Sequence, residues 1–155
     1  MEWLNINQLT KEMVSARLSE LTDPIDAAVE IMEKTIIVSL KEVEALRPGH
    51  RQTVVAACQG TLTALLLKEY DLRPASVKVL HAMVRVANKI NHDPTELSTL
   101  ALHGIADMGR FVSKDKIIAI RAAIDAEFMG AGDAFQKIVD GAPLAGSEET
   151  QPIVR

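Results

Sequence analysis

Cysteine, aromatic side chains and uninterrupted apolar runs are all scarce in this chain of 155 residues, and each scarcity excludes something. A lone thiol, Cys58, cannot close a disulfide within the chain. It sits in the run Val54-Val55-Ala56-Ala57-Cys58, where a free cysteine behaves as a small buried hydrophobe. The aromatics Trp3, Tyr70, Phe111, Phe128 and Phe135 are too scattered to stack bases or cage a cation. The longest apolar stretch, residues 53–67, is broken by Gln59, Gly60, Thr61 and Thr63. It is also shorter than the roughly 20 residues that a bilayer crossing needs. The opening Met1-Glu2-Trp3-Leu4-Asn5 has neither the basic nor the apolar region of a secretory signal. A cytoplasmic protein with no membrane association is therefore expected.

Catalytic and metal signatures are missing too. There is no GxSxG elbow, P-loop or GxGxxG. The histidines His50, His81, His92 and His103 form no His-x-x-x-His or Glu-x-x-His pair and no cluster with Cys58. His103 and Asp107 are one helical turn apart, but no nucleophile accompanies them, and such pairs are ordinary on helix surfaces. No catalytic, metal or cofactor-binding residue is assigned, and the reading leans away from an enzyme.

What is present is helix. Apolar residues make up 48% of the chain and charged ones 25%, the balance of a water-soluble globular domain. Asp23-Pro24 and Asp93-Pro94 each put an N-cap carboxylate before a proline at the first helical position. Asp26 and Glu96 follow at the capping-box position. Arg47-Pro48-Gly49, Arg73-Pro74 and Gly130-Ala131-Gly132 separate further helical runs. No alternating β-branched segment with hairpin turns occurs.

Seven helical segments are read, near 7–21, 24–46, 50–70, 74–91, 94–111, 114–129 and 133–140. The third is apolar nearly all round, which marks a central helix, and Gly60 and Gly104 are expected where helices approach closely. The fold class is thus all-α: a single domain, residues 1–140, forming an antiparallel bundle or curled array of about six to seven helices. Residues 141–155, small and polar with Glu148, Glu149 and Pro152, are expected to be a flexible tail able to dock Ile153 and Val154 on a partner.

Three groups of residues merit testing. The fourth helix sets Val77, Leu80, Val84 and Ala87 against Lys78, His81, Arg85 and Lys89. Lys78, Arg85 and Lys89 fall within about 40° of one another. They make a candidate contact for an anionic partner, although such stripes are usually just solvated faces. Nucleic acid is not the expected partner, since the chain is acidic at net charge −4 and poor in rings. Trp3 is a candidate interface anchor, because tryptophan dominates binding hot spots. Gln52, Gln59, Thr63 and His103 are polar residues on apolar helices and could line a pocket between them. The function expected is a non-enzymatic helical protein–protein interaction module, an adaptor, regulator or assembly factor, that forms a homo-oligomer or binds a protein partner. The alternative is a small-ligand-binding protein or enzyme with a site between helices.

Overall fold

A computed structural model describes residues 6–18 and 23–141. Among them the chain forms seven α-helices and one 3₁₀ turn, with no strand. They run α1 (Ile6–Leu18), α2 (Pro24–Leu40), α3 (Pro48–Leu67), α4 (Leu72–Ile90), α5 (Pro94–Ala106), the 3₁₀ turn (Asp107–Arg110), α6 (Lys114–Glu127) and α7 (Ala131–Val139). Trp3 and residues 142–155, on which the interface-anchor and tail expectations rest, lie outside the described residues.

The helix starts follow the punctuation in the sequence. Asp23 accepts from the Asp26 N–H at 3.2 Å, and Asp93 from the Thr95 N–H at 2.9 Å, each with proline next in line. Asp71 and Ser113 cap α4 and α6 in the same manner. The capping-box acids do something else. Asp26 reaches Lys78 of α4, and Glu96 reaches Arg51 of α3 at 3.1 Å. Each carboxylate makes a charge-assisted bond to a cation of a neighbouring helix instead of closing on its own backbone. His50 performs the reciprocal capping role on α3, accepting the Arg47 N–H on Nδ1 at 3.0 Å.

α3 lies at the centre, packed by α1, α2, α4 and α5. Val54, Ala57, Cys58, Leu62, Ala64 and Leu65 are fully buried along it. Both expected close approaches occur. A Cβ on Gly60 would lie 2.6 Å from the backbone oxygen of Asn7 in α1, and one on Gly104 would lie 2.9 Å from the Cys58 Cβ. The glycines let α1 and α5 approach α3 nearly backbone to backbone.

Two helices end earlier than their periodicity suggests. α2 stops at Leu40 rather than near residue 46. The chain turns there, Leu46 enters the core, and the Val43 carbonyl accepts from His92 Nε2 at 2.8 Å. Pro48 also disfavours helical geometry at the residue before it. α5 tightens into the 3₁₀ turn through Gly109, so that Met108 is buried while Phe111 faces solvent. On α4, Val77 and Val84 are only half-buried, whereas Val79, Met83 and Val86 are wholly so. The helix is covered by α2, α5 and α6 together, which turns its buried arc away from the simple stripe.

Candidate interaction surface

Three of the four stripe residues of α4, Lys78, His81 and Arg85, meet carboxylates of neighbouring helices or their caps. Lys78 Nζ lies 2.6 Å from Asp26 and 3.9 Å from Asp23. The Lys78 bond holds the Asp26 carboxyl below its usual range, and the same bond raises the Lys78 ammonium. Arg85 donates from Nε and Nη2 to Glu33 at 3.0–3.3 Å. His81 Nε2 lies 2.8 Å from Glu127 of α6, and its ring packs on Phe128 at 4.8 Å between centroids. Lys89 is exposed and pairs with no described residue. The three paired members line a groove of about 300 Å³ together with Asp26, Glu30 and Glu33. An anion approaching it therefore meets three carboxylates as well as the cations.

Glu33 is the most informative of these acids, because its side chain is only 12% accessible while Arg85 is 55% accessible. Removing Arg85 leaves a nearly buried carboxylate without its counter-charge. Arg85→Met should therefore cost about 1–2 kcal/mol, the low side for a stranded charge because Arg85 reaches solvent. Adding Glu33→Gln should restore part of the loss. Urea denaturation of both singles and the double variant measures it, and strict additivity would show that the two side chains do not interact.

The four polar residues of α3 and α5 expected to line a pocket have different surroundings. Gln52 is exposed. Gln59 is half-buried and accepts a long bond from Asn7 Nδ2 at 3.4 Å, beneath α1. Thr63 points its hydroxyl to the Met108 sulfur at 3.5 Å. His103 is half-buried, and desolvation lowers its basicity against the opposing pull of Asp107. Cys58 is fully buried, and desolvation pushes its thiol up to about 12, so it is no nucleophile at neutral pH. Among the described residues no three of His, Cys, Asp and Glu are placed to hold a metal ion.

A different feature stands out where the chain turns from α5 into α6 and α7. A groove of about 670 Å³ opens between the 3₁₀ turn, α6 and α7. Ala106, Gly109, Val112, Ile117, Ile118 and Val139 give it apolar walls. Arg110 and Lys114 bring two exposed cations to it, and neither pairs with a described carboxylate. The Arg110 guanidinium lies 5.9 Å from the centroid of the Phe111 ring. Asp140, the one acid there, accepts from Gln136 at 3.0 Å.

The groove's surroundings are also apolar and open. α6 packs chiefly on α4 and α7, which leaves Ile118 62% accessible and Ala122, one turn on, exposed as well. Phe111, between the groove residues Arg110 and Val112, is 58% accessible, and Met129, past the far end of α6, is 96% accessible. α7 is held in place by Asp125 of α6, whose Oδ1 accepts the N–H groups of Gly130 and Gly132 at 3.1 and 3.0 Å. Arg121 adds a bond to the Gly132 carbonyl at 3.2 Å. Reading helix periodicity misses this surface, since it treats Ile117, Ile120, Ile124 and Phe128 as the stripe of α6 and passes over Ile118 beside them. The off-stripe isoleucine next to Phe111-Val112 was the available signal.

No described helix is long and apolar enough to cross a membrane. Comparison of the chain with protein-family models, with characterised proteins and with solved structures finds no match.

Proposed function

We propose that this is a cytoplasmic, non-enzymatic protein–protein interaction module that self-associates through the face built by the 3₁₀ turn, α6 and α7. The observation that carries the reading is the exposure of Ile118 in, and Phe111 beside, an apolar groove with two cations that meet no described carboxylate. Water-soluble domains rarely leave bulky apolar side chains grouped beside a concave apolar surface unless something covers them. Apolar anchors ringed by charge are also how protein interfaces divide affinity from specificity. A small-ligand site between helices has less behind it, because Gln52, Gln59, Thr63 and His103 are held by separate partners or by solvent.

Sedimentation equilibrium over a wide concentration range tests the proposal. The native chain should associate, and Ile118→Glu should raise its dissociation constant on the order of tenfold or more. Because Ile118 is largely exposed, its melting temperature should hardly move. A native chain that stays monomeric throughout, or an Ile118→Glu variant that associates unchanged, would remove this face as the self-association surface.

A further inference from the structure

The groove has two properties that narrow its occupant. Its walls are aliphatic, and its charged residues, Arg110, Lys114 and Asp140, leave it one positive charge in excess, with Arg110 and Lys114 meeting no described carboxylate. A matching segment needs a few apolar side chains and carboxylates beside them, in a form slim enough for a groove rather than a broad flat face. One such sequence is attached to the groove itself. α7 ends at Val139, which like its cap Asp140 is a groove residue, and the Gly141 N–H bonds the Ile138 carbonyl at 2.9 Å. Seven residues later come Glu148 and Glu149, followed by Pro152-Ile153-Val154.

We propose that the groove is a docking site for this chain's own residues 148–154, with Glu148 and Glu149 meeting Arg110 and Lys114, and Ile153 and Val154 meeting Ile118 and Val139. The inference rests on reading the groove as a protein-docking surface and names what regulates it. Reach is ample, since each residue of an extended chain spans about 3.3 Å and the connection starts on the groove wall. A short connection also presents the segment at an effective concentration on the order of millimolar. Contacts too weak to hold a free peptide then suffice to cover the groove. Another copy or partner must displace them, so the segment sets a threshold for association. The charged half of the contact weakens with salt, because exposed pairs are screened.

The test uses the full chain. Ser147→Cys carries a nitroxide label, and Cys58 stays unlabelled because its thiol is buried and protonated. In an isotope-labelled sample the amide signals of Gly109, Val112, Ile118 and Val139 should broaden severely, to the same extent on dilution. Glu148→Lys with Glu149→Lys should recover them while leaving the melting temperature unchanged. Absence of broadening would overturn the proposal. So would broadening seen only when the nitroxide and the isotope are on different molecules, for then the segment serves another copy. Self-association without broadening would sink this inference and spare the proposed module. Broadening in a strictly monomeric protein would do the reverse for the self-association claim.

Discussion

Replacing Phe135 with alanine should cost about 3–5 kcal/mol, the usual range for deleting a buried ring, and should detach α7 from the fold. Phe135 is fully buried, and the other large apolar residues of α7, Ile138 and Val139, are only half-buried. Nine residues are too few to hold a helix by backbone bonding alone, since isolated helices need about 12–15 residues to be even marginal in water. The anchored ring therefore decides whether the segment is helical at all. A fall in Tm on the order of 10 °C should accompany the loss. Hydrogen exchange at the α7 amides should rise more than elsewhere. Because Gln136, Val139 and Asp140 form one wall of the groove, docking there should vanish although no groove residue has been touched. Retained protection across α7 with a Tm shift of only a degree or two would show that Asp125 and Arg121 hold the helix without the ring.

Gly60→Val should act at the other side of α3, and by a steric route. The obstacle to a Cβ there is the main-chain oxygen of Asn7, 2.6 Å away, so no side-chain rotation can relieve it. α1 must move bodily, and Thr10 and Val14, both fully buried, lose cover when it does. Overpacking of this kind costs about 1–3 kcal/mol and sometimes more, against a gain in helix propensity of less than 1 kcal/mol. We expect a net loss at or above the top of that range. Gly49→Ala provides the opposite sign. Nothing lies within 4 Å of its added carbon, and the substitution should stabilise by about 0.4–1 kcal/mol by restricting the unfolded chain. Thermal denaturation of both variants settles the contrast. A neutral Gly60→Val would mean that α1 does not press on α3.

The helices were legible because their boundaries are written locally. Asp-Pro pairs, Pro48 and the Gly130-Ala131-Gly132 break act within a turn of where they stand, so no tertiary knowledge is needed to place them. Gly60 and Gly104 were legible for a related reason: a glycine inside an apolar helix asks for a close neighbour. Periodicity reports which face of a helix is polar, but it is silent on whether water or another helix's acids meet that face. Lys78, His81 and Arg85 therefore read as a stripe open to solvent or to an anionic partner, although Asp26, Glu127 and Glu33 come to them from elsewhere in the chain. Gln59 shares a face with Gln52, yet α1 covers one and leaves the other in solvent. The groove was hidden because it depends on α5 tightening at Gly109 and on α7 folding back over α6. Neither event leaves a periodic trace.

Asp26 and Glu96 carry one more consequence. Each stands in the first turn of its helix and binds a cation from a helix distant in sequence, Lys78 for α2 and Arg51 for α5. Asp23 and Asp93 cap those first turns locally, and the cation adds a bond that forms only when the two helices meet. Helix initiation, normally the most local event in folding and the hardest step for an isolated helix, is here reinforced by long-range assembly. A peptide cut out to contain α2 or α5 alone would keep its aspartate cap but lose the added bond to Lys78 or Arg51. The intact chain, for the same reason, gains cooperativity at two places where helices otherwise fray first.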